Sequence, residues 1–147
     1  MAEIYLFSNM SAKSFLERYI DVLGEEETFI ENEESYEYEG ELFYDLNKSW
    51  SVMESNEDEQ FSRDVILQLA KTDKLIYAYV NEDLLEGELV ISENGNIVRE
   101  LVDCYSLPRL NINIGNIEYE KNNKKNMETW IDIGMFIEYV FTVLKDI

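Results

Sequence analysis

The amino-acid sequence predicts an α+β fold in which a mainly antiparallel β-sheet packs against about three α-helices. Segments with strand and helix periodicity are interspersed along the chain, and apolar residues recur at helical spacing in three of them. Asn94-Gly95 lies between two apolar runs, a pattern typical of a two-residue β-hairpin. A length of 147 residues suits one folding unit, so we predict a single globular domain over residues 1–147.

The first third of the chain is predicted to form a strand, a helix and a second strand. Residues 3–7 form a short run that is mostly apolar, which favours a buried strand. A helix over residues 12–23 follows, with Ser11 as its N-cap and Gly24 at the position where a helix often ends in a left-handed residue. Residues 27–32 are predicted to form the next strand.

Polar and apolar residues alternate from residue 35 to residue 45, which predicts one strand through this segment. A further strand is expected over residues 49–53. The acidic run that starts at Asn56 favours a helix start, because acids stabilise the positive end of the helix dipole. This helix is predicted to end near Lys71, and residues 74–80 are predicted to be a strand.

The last third of the chain contains the predicted hairpin and a final helix. The hairpin strands are expected over residues 88–93 and 96–104. Residues 107–116 are predicted to be irregular, and residues 120–126 to be a polar loop. The helix predicted over residues 127–145 is apolar almost all round, so we expect it to be deeply packed.

Charge is the most unusual property of the composition. The chain has 32 acidic and 12 basic residues, a net charge of −20 and a pI of about 4.1. Residues 25–88 contain 20 acidic and four basic side chains, which is a net charge of −16. Direct binding to nucleic acid or to an anionic membrane is therefore disfavoured, since both require Lys and Arg. A basic protein is the favoured partner, and a monomer is the favoured oligomeric state.

Several kinds of catalytic or metal site are excluded by composition. The chain has no histidine, which removes the His-dependent nucleophile arrangements and His-containing zinc sites. Cys104 is the only cysteine, so thiolate clusters and an internal disulfide are excluded, and we expect it to be a small buried side chain. No phosphate-binding glycine motif and no EF-hand spacing are present. We therefore predict no cofactor, no metal and no enzymatic activity.

The candidate partner-binding segment is rich in glutamate and tyrosine. In a single strand, Glu37, Glu39 and Glu41 would share one face at intervals of about 7 Å. Their mutual repulsion would be relieved by a basic partner, and tyrosines would supply contact area. The alternative interpretation is a half-exposed strand with tyrosines in the core and glutamates in water. The predicted site residues are Glu31, Glu33, Glu34, Tyr36, Glu37, Tyr38, Glu39, Glu41, Glu57, Asp58 and Glu59.

A family resemblance concerns residues 89–137. The segments that contribute to it are Leu89–Leu101, Asn111–Gly115, Ile117–Glu120 and Trp130–Ile133. Together they resemble small bacterial immunity proteins encoded beside polymorphic toxins, including those of contact-dependent growth inhibition systems. The resemblance implies a protein that is not an enzyme and that binds one cognate toxin domain, often a basic nuclease. It provides no map of the residues that contact the toxin.

These observations lead to the expectation of a cytoplasmic immunity protein that neutralises a basic, nuclease-type toxin domain through an acidic, tyrosine-containing surface. The cytoplasm is expected because residues 1–8 lack the basic and long apolar segments of a signal peptide. The first alternative is an acidic interaction module or nucleic-acid mimic that binds another basic protein. A carboxylate-dependent hydrolase is a remote alternative, because paired carboxylates can perform acid–base catalysis.

Overall fold

The computed structural model describes residues 2–24, 28–56, 60–104 and 111–145, and these form nine strands and four helices. The strands are β1 (Ala2–Ser8), β2 (Ile30–Glu31), β3 (Tyr36–Tyr38), β4 (Glu41–Asp45), β5 (Ser51–Ser55), β6 (Leu75–Asn81), β7 (Glu86–Glu93), β8 (Asn96–Asp103) and β9 (Ile112–Gly115). The helices are α1 (Ala12–Leu23), α2 (Arg63–Ala70), α3 (Glu118–Asn123) and α4 (Trp130–Lys145). All nine strands join one sheet in the order β2-β3-β4-β5-β1-β6-β7-β8-β9.

The predicted α+β class is confirmed, and every pairing between neighbouring strands in the described residues is antiparallel. Because side chains alternate between the two faces of a strand, the sheet has two cores. On one face, α1 and α2 pack through residues such as Phe15 and Leu69. On the other, which we call the α4 face, α4 packs through residues such as Ile133 and Val140.

Two local signals in the sequence predicted their elements correctly. Ser11 caps α1, and its hydroxyl accepts a hydrogen bond from the Ser14 amide at 3.2 Å. Asn94 and Gly95 connect β7 and β8, and both have positive φ angles, 52° and 81°. Asparagine and glycine tolerate that backbone region better than other residues, which is why the dipeptide is a reliable hairpin signal.

The prediction of one strand over residues 35–45 is wrong. The chain turns back at Glu39 and Gly40, whose φ angles are 50° and 84°, so the segment forms the β3–β4 hairpin. Positive φ is uncommon for glutamate, so the dipeptide lacks the usual hairpin signature. As a consequence, Glu37, Glu39 and Glu41 do not form a row on one face.

Four further differences from prediction concern the ends of helices and two short elements. Helix α2 begins at Arg63, where the Ser62 hydroxyl caps the Val65 amide at 3.3 Å, and not at Asn56. Residues 112–115, predicted to be irregular, form β9, and α3 overlaps the first part of the predicted polar loop, which raises the helix count in the described residues to four. Gly24 ends α1 with φ of −79° and is not left-handed. A Cβ atom there would overlap the Tyr38 hydroxyl, so close packing is the reason for a glycine.

Helix α4 crosses its sheet face obliquely, because it is held at two opposite ends of the sheet. At its start, Asp103 accepts a hydrogen bond from the Trp130 amide at 2.8 Å, and Gly87 leaves room for the Trp130 side chain. At its end, the Asn47 side chain donates to the Leu144 carbonyl at 2.7 Å. Asn47 lies in the β4–β5 connection, and this connection and Gly87 are at opposite ends of the strands.

The expectation that the last helix is deeply packed holds for only one face of α4, which buries Ile133, Phe136, Ile137, Val140 and Leu144. Four of its apolar side chains are exposed, namely Ile131, Met135, Tyr139 and Val143. They occur every fourth residue and so form a ridge along the helix. Within the described ranges, no helix combines the length and apolarity that crossing a membrane requires.

A fully buried ion pair joins β8 to α3. Arg99 donates from Nε and Nη2 to the two carboxylate oxygens of Glu120 at 2.7 and 3.0 Å, and neither side chain is exposed. Arg99 also donates to the carbonyls of Ile114 and Met127. Glu120 accepts the amides of Ile117 and Met127. The pair therefore connects β8, β9, α3 and the segment that leads into α4.

We expect Glu120→Gln to reduce the free energy of unfolding by about 3–5 kcal/mol at neutral pH, because it leaves the buried Arg99 charge without a counterion. Burial by itself raises the pKa of Glu120, but hydrogen bonds from Arg99 and the Met127 amide outweigh it and the pKa is lowered. The ion-pair contribution is thus complete above 4.5, the ordinary glutamate value, and is lost as pH falls through the lowered pKa. Urea unfolding of both proteins across this pH range measures the effect.

Glu118→Gln is the matched control, since Glu118 is an exposed residue of the same helix. We expect it to change stability by less than about 0.5 kcal/mol. A difference between wild type and Glu120→Gln that does not shrink in acid would contradict the role given to the ion pair.

Candidate functional site

The α4 face is only partly covered, and its uncovered part is the candidate site. Ile30, Glu37, Leu42, Glu54 and Tyr5 are successive partners across β2, β3, β4, β5 and β1. Residues directly opposite on neighbouring strands have Cβ atoms about 4.5–5.5 Å apart, so the five form a continuous row. We call this row, together with Glu3 and Tyr44 beside it, the open face.

The row alternates between apolar and acidic side chains. Ile30 is 61% exposed, Glu37 is exposed, and Leu42, Glu54 and Tyr5 are partly exposed. Aromatic and aliphatic surface therefore lies directly between carboxylates. This combination can bury apolar area against a partner and also pair with its cationic groups.

Two tyrosines on the open face donate hydrogen bonds to glutamates. The Tyr44 hydroxyl donates to Glu54 Oε1 at 2.6 Å, and the Tyr5 hydroxyl donates to Glu3 Oε2 at 3.4 Å. Phe141 of α4 packs edge-on against the Tyr5 ring, with ring centroids 5.5 Å apart. These contacts hold the carboxylates and rings in position before any partner binds.

Burial and the acidic surroundings raise the pKa of both phenols. For Tyr5, burial, the charges of Glu3 and Glu54, and the hydrogen bond to Glu3 raise the pKa to about 12. For Tyr44, burial, the hydrogen bond to Glu54 and the Glu54 charge raise the pKa further. Both tyrosines therefore remain neutral hydrogen-bond donors throughout the physiological pH range.

The carboxylates of the open face have no cationic partner among the described residues. Each Lys or Arg ion pair in that part of the chain uses another acid: Asp73, Glu93, Glu100, Glu120 or Asp132. The ammonium group of Lys145 lies over the Phe141 ring, 5.4 Å from the ring centre, and forms no ion pair with the glutamates of the open face. Glu3, Glu37 and Glu54 thus remain available to an incoming cation.

The structure separates the sequence-predicted site residues. Tyr38 is 1% exposed and packs in the core against Tyr19 of α1, and Glu41 is buried. Tyr36 points to the same side of the sheet as Tyr38 and packs against Phe29. The alternative interpretation, with tyrosines in the core and glutamates in water, describes this segment better than a tyrosine-bearing docking strand.

The exposed members of the predicted set lie along one edge of the sheet. Glu31, Glu33, Glu34 and Glu39 are exposed around β2 and β3, and Glu37 belongs to the open face. Glu57, Asp58 and Glu59 lie outside the described residues. The edge thus contributes negative charge beside the open face. Of the predicted site residues, only Glu37 belongs to the open face.

Sequence reasoning missed the other six residues of the open face: Glu3, Tyr5, Ile30, Leu42, Tyr44 and Glu54. Strands were predicted over residues 3–7, 27–32, 35–45 and 49–53, and these ranges include every open-face residue except Glu54, which lies one residue beyond the last range. No local signal indicates which side of these strands is uncovered, because that depends on the position of α4.

Not all of the acidic residues are at the surface. Six are buried in the described part of the chain: Glu41, Glu86, Glu88, Glu100, Asp103 and Glu120. On the face covered by α1 and α2, Tyr77 donates to Glu88 at 3.2 Å and Tyr79 donates to Glu86 at 2.7 Å. Cys104 is buried as predicted, and its thiol donates to Glu86 at 2.7 Å. Among the described residues no group of His, Cys, Asp or Glu is arranged to hold a metal ion.

We expect Glu54→Gln to lower the pKa of Tyr44 and Tyr5 toward 10, because the substitution removes a negative charge that disfavours both phenolates. Carbon-13 NMR of labelled tyrosine rings measures both titrations, with Tyr5→Phe and Tyr44→Phe providing assignments. Tyr119 is the internal control, since burial and Asp132 raise its pKa on another part of the molecule. An unchanged Tyr44 titration would contradict the Tyr44–Glu54 contact.

In comparisons with known proteins, the chain matches no family of known sequences, and no curated protein or solved structure is significantly similar to it. The geometry and charge of the open face are therefore the basis for a functional proposal.

Proposed function

We propose that this chain is a cytoplasmic immunity protein that binds and neutralises a basic, nuclease-type toxin domain through its open face. The observation that supports the proposal most directly is the row in which Glu37 and Glu54 alternate with Ile30, Leu42 and Tyr5. The resemblance of residues 89–137 to immunity proteins supports the same class of function.

Electrostatics favour a basic partner for this surface. Like charges on one sheet face destabilise the folded chain, and lysines or arginines of a partner would relieve that repulsion. The net charge of −20 would also accelerate association with a cationic protein at low ionic strength. Binding should therefore weaken as salt concentration rises.

The open face is preorganised for such a contact. Tyr44 and Phe141 restrict Glu54 and Tyr5, so little side-chain entropy is lost when a partner docks. Tyrosine supplies a large rigid contact area, and each glutamate can accept two hydrogen bonds from an arginine.

Neutralisation would follow from competition for one cationic surface. A nuclease binds the phosphate backbone through Lys and Arg. An acidic surface that pairs with those groups occupies the place of the nucleic acid, so the toxin is inhibited without any chemical step.

Charge reversal of the open face tests the proposal. We expect Glu37→Lys combined with Glu54→Lys to weaken binding to the product of the neighbouring gene, the proposed toxin, by roughly 100-fold, about 2.7 kcal/mol. Isothermal titration calorimetry measures the affinity, and nuclease inhibition measures neutralisation.

The matched control is Glu17→Lys combined with Asp21→Lys. Both residues are exposed on α1, on the opposite side of the sheet, and the change in net charge is the same. If both double variants lose affinity equally, the effect is bulk charge and the open face is not the binding site. Tight binding to basic DNA-binding proteins with no effect on the neighbouring gene product would favour the nucleic-acid mimic instead.

A further inference from the structure

A groove runs beside α4, next to the open face. It has a volume of about 440 Å³ and lies between α4 and the strands β1 and β6. Val80, Ile137 and Phe141 form its buried and half-buried apolar floor. Glu3 and Tyr5 belong to both the groove and the open face, so the two surfaces are continuous.

One wall of the groove is unusually apolar for a solvent-exposed surface. Ile131 and Met135 are 55% and 58% exposed, and they stand one turn apart on α4. Large apolar side chains exposed side by side are typical of a surface that contacts a partner.

The rim of the groove is acidic. Glu3, Glu82 and Glu138 line it and are exposed, and in the described part of the chain none of them pairs with a Lys or Arg. Of the described residues that line the groove, none is basic. A ligand that fits it therefore carries apolar groups toward the floor and positive charge toward the rim.

The backbone of the floor excludes binding by strand addition. Strand β1 pairs with both β5 and β6, and β4 pairs with both β3 and β5, so their hydrogen-bonding edges are occupied. Only side chains face a partner here. Such a sheet face can be covered by a helix or by a second sheet, and in this protein helices pack on both faces, α1 and α2 on one and α4 on the other.

The space beside α4 is wide enough for one helix. Strands β2 to β5 carry no helix on the α4 face among the described residues, and four strands span roughly 19 Å. An α-helix with side chains has a diameter of about 10–12 Å.

We propose that a basic amphipathic helix of the partner protein packs beside α4, with its apolar stripe on Leu42, Tyr5 and Met135. Lysines or arginines flanking the stripe lay their aliphatic stems on the apolar floor and place their charges near Glu54, Glu82 and Glu138. This inference rests on the proposed function and specifies the element of the partner that the site recognises.

The probes are two peptides of identical leucine and lysine composition and about 16 residues, roughly 24 Å long as a helix. One has leucines at helical spacing, and the other alternates leucine and lysine as a strand does. We expect the helical peptide to bind at least tenfold more tightly by calorimetry and to gain helical circular dichroism on binding. Equal affinities, or no binding of the helical peptide, would overturn the inference.

Matched variants locate the peptide. Met135→Asn and Glu138→Lys should each weaken binding of the helical peptide at least fivefold. Val143→Asn, on the same helix but outside the groove, and Glu17→Lys, on α1, should leave its affinity within twofold. Equal losses in both pairs would mean that the peptide binds elsewhere, which contradicts the inference.

The same variants separate this inference from the proposed function when the toxin domain replaces the peptide. If the open-face charge reversal weakens toxin binding but Met135→Asn and Glu138→Lys do not, the proposed function is supported and the helix position is wrong. If none of these variants affects toxin binding, both proposals are wrong.

Discussion

The position of α4 is the constraint on which the rest of the structure depends. The helix is held at its start by the Asp103 carboxylate and at its end by the Asn47 side chain, from opposite ends of the sheet. It therefore crosses the strands obliquely and covers β6 and β7 more than β4 or β5. Residues with the same alternating pattern become core beneath α4 and surface beside it. Tyr5 and Phe7 show this within one strand: Phe7 is fully buried and Tyr5 is partly exposed.

Repulsion among the many acidic side chains is a second constraint, and the buried acids and the exposed acids differ in how they are accommodated. Three of the buried acids have clear donors, since Glu120 accepts from Arg99 and Glu86 and Glu88 accept from tyrosine hydroxyls. On the open face, tyrosines orient the glutamates without neutralising them. These three buried carboxylates thus have hydrogen-bond donors, whereas the glutamates of the open face keep a mutual repulsion that a basic protein could relieve. Under the proposed function, stability and partner selection would depend on separate groups of acids.

Elements with strong local signals were predictable, and those stabilised by distant contacts were not. Ser11 and Asn94-Gly95 act through their own backbone, so α1 and the β7–β8 hairpin followed from the sequence. The β3–β4 turn uses Glu39 at positive φ, which no local preference indicates. Helix α3 is polar and only six residues long, and the buried pair between Glu120 and Arg99, 21 residues apart, helps to hold it. Strand β9 is short and exists through its pairing with β8.

The amino-acid order alone was enough to establish the α+β class, the concentration of acids in residues 25–88, and the exclusion of histidine and thiolate-cluster chemistry, because these are local or compositional properties. Of the residues on the open face, it identified only Glu37. The others were decided by tertiary structure, since four separate segments contribute them and the path of α4 determines which of their faces meets water. Period-two alternation specifies that a strand has two faces, but it carries no information about which of them another element will cover.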